Sequence, residues 1–123
     1  MKITEIAFTC YPVTDMARAR AFYEGNLGLT PTIVHASDDG STAWTEYEIG
    51  AGAFSLGKWD DWKPTAEGAS VAFEVDDFDA TIAQLKEAGV AFKMEPFPTP
   101  VCRMAFVLDP DGSAVCIHKR HAH

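Results

Sequence analysis

Hydrophobic and polar positions in the first half of the chain predict a strand, a helix and three further strands. Residues 3–11 alternate as in a half-buried strand, with Ile6, Phe8 and Cys10 on one face. Apolar residues then recur at helical spacing between Met16 and Tyr23. Short strand-like stretches follow at residues 32–36, 42–49 and 53–56.

The second half of the chain repeats this order. Residues 70–75 predict a strand, and Phe78, Ile82 and Leu85 lie on one face of the helix that follows. A turn over Asp109–Gly112 precedes the last strand, because proline presets φ and glycine tolerates positive φ. The closing strand-like stretches are 90–94, 102–108 and 113–118, with a proline-rich loop at 96–100.

The doubled pattern predicts two βαβββ modules, about 1–57 and 69–119, joined by a linker near 58–68. One helix for every four strands indicates an α+β fold, in which a curved, mostly antiparallel sheet surrounds a cleft and the helices lie outside. The 123 residues suit a single domain made of both modules. A concave cleft of this kind is a natural ligand site.

Charge and cysteine content narrow the possible partners. The net charge of −8 argues against nucleic acid, because no basic patch is available to neutralise phosphates. No apolar run approaches the ~20 residues that span a bilayer, and the N-terminus lacks a signal-peptide core. Three cysteines at wide spacing suit a reducing compartment. We therefore expect a cytoplasmic protein without nucleic-acid or membrane partners.

Several motifs carry a family resemblance. The stretches Asp15–Tyr23 and Leu27–Leu29, then Val71–Asp77 and Ala88–Val90, resemble the two modules of the vicinal oxygen chelate superfamily, and Asp109–Gly112 followed by a strand is similar to its ending. The match covers nearly the whole chain. The superfamily includes glyoxalases, extradiol dioxygenases, fosfomycin-resistance transferases, epimerases and bleomycin-binding resistance proteins.

The resemblance also implies where a metal site would be. Enzymes of the superfamily usually hold a divalent metal with His, Gln and Glu from the first and last strands of each module, and the metal acts as a Lewis acid. The corresponding positions here are Ser70 and Cys116 in the second module, Phe8 (or, with a bulge, Ile6 or Glu5) in the first strand, and Ser55 or Leu56 in the fourth. None supplies the usual imidazole and carboxylate pair, so we predict no metal and no cofactor.

An alternative metal site uses other side chains. Cys116 and His118 lie two residues apart on one strand and so share a face, and a thiolate with an imidazole can bind zinc. The only candidates for a third ligand are Glu5, Glu74 and His35.

Strand parity assigns residues to the cleft. In the second module Val71, Phe73 and Val75 are expected beneath the helix. Glu74 is the candidate catalytic residue, because a carboxylate in an apolar cavity has a raised pKa and can act as acid or base. Trp59 and Trp62 are either packing plugs or part of a pocket rim. The predicted ligand-binding residues are Phe8, Cys10, Trp44 or Tyr47, Phe54, Leu56, Ser70, Ala72, Glu74, Cys116 and His118.

These features favour a metal-independent binding protein, similar to the bleomycin-resistance branch. It would sequester a hydrophobic or aromatic small molecule and form a homodimer, and its acidic balance would suit a cationic ligand. One alternative is a lactoylglutathione-lyase-like lyase or a dioxygenase with a non-standard metal site. Another is a regulatory domain that binds protein.

Overall fold

The computed structural model describes residues 1–2, 4–68 and 70–121. It contains two compact units, Met1–Pro64 and Thr65–His123. Each unit holds one four-stranded sheet with one parallel and two antiparallel strand pairs.

The first unit is built around a sheet with the order β1-β4-β3-β2. Its elements are β1 (Thr9–Pro12), α1 (Met16–Arg20) continued by a π-helical segment (Ala21–Asn26), β2 (Ile33–Ala36), β3 (Ala43–Ile49) and β4 (Gly52–Lys58). Asp15 caps α1, since its carboxylate accepts the Arg18 backbone N–H at 3.0 Å. Gly28, at φ +74°, takes the left-handed conformation that ends the helical stretch.

The second unit has the same plan, with the order β5-β8-β7-β6. Its elements are β5 (Val71–Glu74), α2 (Phe78–Glu87), β6 (Phe92–Pro98), β7 (Cys102–Leu108) and β8 (Ala114–Arg120). Asp77 caps α2 by accepting the Ala80 N–H at 3.1 Å, and Gly89 follows the helix at φ +78°. The prediction of an α+β fold with two βαβββ modules is confirmed.

Two element boundaries differ from those predicted. β1 begins at Thr9, so residues 4–8 of the predicted strand are not in it, and Ile3 lies outside the described residues. β6 extends through Pro96 and Pro98, where a loop was predicted. β6 lies at the sheet edge and its register shifts twice against β7, and such positions tolerate a residue without an N–H.

The boundary between the units, Pro64 to Thr65, falls inside the predicted linker 58–68. Lys58, however, is the last residue of β4, and the rings of Trp59 and Trp62 pack over Gly57 of the same strand. These residues therefore belong to the first unit. The single-domain organisation of the two modules stays a prediction.

Candidate functional site

Strand register divides the first sheet into two faces. Thr45, Tyr47, Phe54 and Leu56 form one face, which packs against α1 and the π-helical segment and which we call the helix face. The other face, which we call the opposite face, carries the alternate residues of the same strands. Its members in β1, β3 and β4 include Cys10, Trp44, Glu46, Ser55 and Gly57.

Three predicted cleft residues lie on the helix face. The Tyr47 hydroxyl donates to the Glu24 carboxylate at 2.9 Å, and the Phe54 ring lies 5.2 Å from the ring of Tyr23. Leu56 is paired with Thr45, whose hydroxyl contacts the Met16 sulfur at 3.4 Å. The face predicted for Phe54 and Leu56 is therefore wrong, and of the two alternatives given for β3, Trp44 or Tyr47, it is Tyr47 that lies on the helix face.

The helix face owes its stability partly to a polar network. Glu24 accepts the Arg20 guanidinium at 2.6 Å as well as the Tyr47 hydroxyl. The bond to Arg20 lowers the pKa of Glu24 more than burial raises it. Burial first, and the Glu24 carboxylate second, raise the pKa of Tyr47, so its hydroxyl stays protonated as a donor.

Four aromatic rings form a cluster on the opposite face and next to it. The ring of Phe8 meets that of Trp44 at 5.3 Å, Trp44 meets Trp59 at 5.9 Å, and Trp59 meets Trp62 at 5.5 Å. Phe8 is 48% exposed, and Trp59 and Trp62 are each 37% exposed. We call these four residues the aromatic cluster. Apolar surface exposed as a contiguous patch is typical of binding sites.

Gly57 makes room for two of these rings. It stands directly opposite Trp44 in the β3–β4 register. A Cβ at this position would lie 2.3 Å from Trp59 Cζ3 and 3.0 Å from Trp62 Cζ3. The absent side chain therefore lets both indoles lie against the strand backbone beside Trp44.

A polar row crosses the sheet beside the aromatic cluster. Cys10, Ser55 and Glu46 are direct neighbours on β1, β4 and β3. Ser55 is fully buried, and its hydroxyl contacts the Thr9 carbonyl at 3.4 Å. Burial raises the pKa of Cys10, the Ser55 hydroxyl partly offsets this, and the Glu46 charge adds to the rise. Glu46 is partly exposed on this face.

In the second unit the strand register joins Glu74 to His118. His118 Nδ1 lies 2.5 Å from Glu74 Oε1, and the Arg120 backbone N–H donates to Glu74 Oε2 at 2.8 Å. The Arg120 N–H, followed by His118, lowers the pKa of Glu74. The expected raised pKa is therefore wrong, and Glu74 is a held carboxylate rather than a proton donor at neutral pH.

The remaining predicted residues of the second unit follow from the same register. Ala72 is opposite Cys116, and Ser70 is exposed just before β5. Cys116 is buried, and burial raises the pKa of its thiol to about 11. Within residues 1–2, 4–68 and 70–121, no three His, Cys, Asp or Glu side chains are grouped so that they could hold a metal ion.

Sequence reasoning missed Glu46 and Gly57 as members of this site, and it named Ser55 only as a possible metal position. The alternation of Trp44 and Glu46 with Thr45 and Tyr47 in β3 was the available signal, since residues two apart share a face. The register places Cys10 and Trp44 on one face, and the ring of Phe8 contacts that of Trp44. The alternation groups residues by face, but it does not tell which of the two faces packs against the helix.

Two units of βαβββ topology, each with a helix on one sheet face, define the fold class of the glyoxalase-like proteins. The family model for the Glyoxalase/Bleomycin resistance protein/Dioxygenase superfamily matches residues 5–117, and the chain belongs to that superfamily. None of the helices in the described residues is long and apolar enough to cross a membrane.

Three similar proteins come from Streptomyces. The solved structure of TnmS3, described as an antibiotic binding protein from Streptomyces sp. CB03234, is 27% identical, with a TM-score of 0.81 over 98% of this chain and 99% of that one. The anthracycline biosynthesis proteins DauV of Streptomyces sp. (strain C5) and DnrV of Streptomyces peucetius are 33% and 36% identical over 84% and 85% of this chain. The matched region spans only 37% and 38% of the lengths of DauV and DnrV.

The side chains at the superfamily's metal positions do not fit a divalent metal. Ser70 and Cys116 replace the usual imidazole and carboxylate in the second module, and the Cys116 thiol is buried and protonated at neutral pH because its pKa is raised. In the first module the predicted position in the first strand is Phe8, an aromatic ring, or with a bulge Ile6 or Glu5, and near the fourth position the Ser55 hydroxyl contacts the Thr9 carbonyl. No step of a mechanism is therefore assigned to a metal.

Proposed function

We propose that this protein is a metal-independent binding protein that sequesters a planar aromatic small molecule on the opposite face of its first sheet. The observation that carries the proposal is the aromatic cluster, in which Phe8, Trp59 and Trp62 each expose more than a third of their surface. A flat ligand gains burial and stacking on such rings. The names of TnmS3 and of the two anthracycline biosynthesis proteins support an antibiotic-like polycyclic ligand.

The arrangement suits binding better than proton transfer. Glu74, the predicted acid or base, contacts His118 and accepts a hydrogen bond from the Arg120 backbone N–H. These contacts favour the charged form of Glu74. The thiols are poor nucleophiles, since burial raises the pKa of both Cys10 and Cys116. The aromatic cluster, by contrast, offers contact area without reactive groups.

Titration of the purified protein with an anthracycline, followed by quenching of tryptophan fluorescence, tests the proposal. We expect saturable binding at one site per chain and a raised thermal midpoint, because a ligand that binds only the folded state stabilises it. Trp44→Leu removes the central ring and should weaken binding by about fivefold or more, since one stacking contact contributes roughly 1–3 kcal/mol. Phe97→Leu, an aromatic substitution in the second unit, is the matched control.

Two results would contradict the proposal. The first is the absence of quenching and of stabilisation across a panel of polycyclic aromatics. The second is stoichiometric nickel, zinc, iron or manganese in protein purified without chelators, which would favour the metal-dependent lyase or dioxygenase. Stabilisation by a protein partner alone would instead favour a regulatory domain.

Homodimer formation and a cytoplasmic location belong to the same proposal. Cys10, Cys102 and Cys116 are free thiols in the structure, which suits a reducing compartment. Light scattering coupled to size-exclusion chromatography should give twice the mass of the 13.4 kDa chain. A monomer mass at micromolar concentration would exclude the dimer.

A further inference from the structure

We propose that the ligand of the aromatic cluster is a planar aromatic cation, and that Glu46 binds its ammonium group. The inference rests on the proposed function and specifies the ligand's charge. It comes from the position of one carboxylate on the face that carries the rings. A carboxylate beside exposed indoles offers both an ion pair and cation–π contacts to the same ligand.

Strand geometry puts Glu46 within reach of a ligand that lies on the cluster. Glu46 and Trp44 are two residues apart on β3 and share the opposite face, so their Cα atoms are roughly 7 Å apart. Trp44 lies in the row of paired residues that follows Cys10–Ser55–Glu46, since it pairs with Gly57. Phe8 lies on the other side of that row, since it comes two residues before Cys10 in the chain. Their contact at 5.3 Å therefore takes place beside that row.

Two cations of the first unit have other partners. Arg20 pairs with Glu24 at 2.6 Å, and the Lys58 ammonium donates to the Gly40 carbonyl at 3.0 Å. Among the described residues, Glu46 takes part in no ion pair. Glu46 is only partly exposed and its cross-strand neighbour Ser55 is buried, so its attraction for a bound cation is less screened than at a fully exposed site.

The proposed recognition also agrees with the charge of the whole chain. A net charge of −8 raises the local concentration of cations and disfavours anionic ligands. The opposite face of β3 carries a second carboxylate, Glu48, which is exposed and lies one position further from Trp44 on that face. Glu48 thus provides a matched control for a change in charge alone.

The test compares two probes that differ only in charge. One is an anthraquinone with a primary alkylamine side chain, and the other is its N-acetyl derivative, which is neutral. Fluorescence titrations at low and high salt give Kd for each probe with wild type, Glu46→Gln and Glu48→Gln. We expect wild type to bind the amine at least tenfold more tightly, Glu46→Gln to reduce that ratio to below threefold, and Glu48→Gln to leave it unchanged.

The outcomes separate this inference from the proposed function. Equal binding of both probes by wild type overturns the inference and leaves the aromatic site standing. Binding of neither probe overturns both. A ratio that survives Glu46→Gln, or that falls equally in Glu48→Gln, assigns the selectivity to overall charge and also overturns the inference. Should Glu46→Gln fold poorly, Glu46→Asp keeps the charge on a shorter side chain and should retain a preference for the amine.

Discussion

Gly57→Ala tests whether the aromatic cluster is the binding site, because it moves rings without deleting any. The added Cβ would lie 2.3 Å from Trp59 Cζ3 and 3.0 Å from Trp62 Cζ3. Ordinary contact begins near 3.4 Å, so the Trp59 ring has to shift by about 1 Å and the Trp62 ring by less. Gly57 has no positive φ, so alanine meets no backbone strain there.

The expected change in stability is small because two effects oppose each other. Alanine within a strand is favoured over glycine by about 0.5–1 kcal/mol. Displacing Trp59 weakens its edge contact with Trp44 and its tilted contact with Trp62, and an aromatic pair contributes about 0.5–1.5 kcal/mol. We therefore expect the free energy of unfolding to fall by no more than about 1 kcal/mol.

The expected change in binding is larger. A ligand stacked on the indoles loses its fit to at least one ring, which is worth roughly 1–3 kcal/mol. Since about 1.4 kcal/mol corresponds to a factor of ten, Kd should rise by about fivefold or more. Urea unfolding and fluorescence titration of the same preparation measure the two quantities independently.

Gly52→Ala supplies the control for this experiment. It adds the same methyl group to the same strand, where the nearest atom is the Ile49 carbonyl oxygen at an ordinary 3.7 Å. It should leave Kd unchanged. The reasoning fails if Gly57→Ala folds normally and binds the ligand as tightly as wild type, or if Gly52→Ala weakens binding to the same extent.

Three further substitutions or measurements follow from the structure. Tyr47→Phe removes the hydrogen bond to Glu24 and should lower the free energy of unfolding by about 1–2 kcal/mol in urea, while Kd for the ligand stays as in wild type; an unchanged stability would contradict the network. The pKa of Glu74 is lowered on folding, so this carboxylate stabilises the fold fully at pH values above its ordinary pKa of 4.5. That stabilisation is lost as the pH falls through the lowered pKa. Glu74→Gln should therefore flatten the loss of stability on acidification, and an unaltered pH profile would refute this. A thiol reagent at pH 8 should label partly exposed Cys10 before buried Cys116, and bound ligand should slow only the labelling of Cys10, as peptide mapping would show.

Local signals in the sequence predicted the doubled fold because both modules begin and end their helices alike. Asp15 and Asp77 each cap a helix through a carboxylate, and Gly28 and Gly89 each follow a helix at positive φ. These features depend on residues only a few positions apart. A sequence pattern can therefore reveal them without knowledge of tertiary packing.

The faces of β4 could not be predicted in the same way. Phe54, Ser55 and Leu56 are all buried, so the alternation that normally marks one face is lost. When a strand is buried on both sides, its sequence shows no alternation that tells which residues point to which face. Assigning the faces with an error of one residue then moves every side chain of the strand to the wrong face. The error for Phe54 and Leu56 is of this kind.

The lowered pKa of Glu74 could not be predicted from the sequence for a different reason. Its partners, His118 and the Arg120 backbone, are 44 and 46 residues away in the chain, and the parallel pairing of β5 with β8 brings them together. The strand pattern predicts a carboxylate in an apolar cavity, whereas the strand pairing brings His118 and the Arg120 backbone N–H to the two carboxylate oxygens of Glu74. Environment-dependent properties such as this pKa require the tertiary pairing.

Under the proposed function, the two faces of the first sheet have different roles, since one stabilises the fold and the other binds the ligand. On the helix face, the hydroxyl of buried Tyr47 joins the sheet to Glu24 of the helical segment through a partly buried hydrogen bond. On the opposite face, the lack of a side chain at Gly57 lets Trp59 lie beside Trp44. The Trp59 ring remains partly exposed there, so this arrangement adds little to packing. A sheet that needed its rings only for stability would bury them. Substitutions on the helix face should therefore change unfolding without changing Kd, and substitutions on the opposite face should do the reverse.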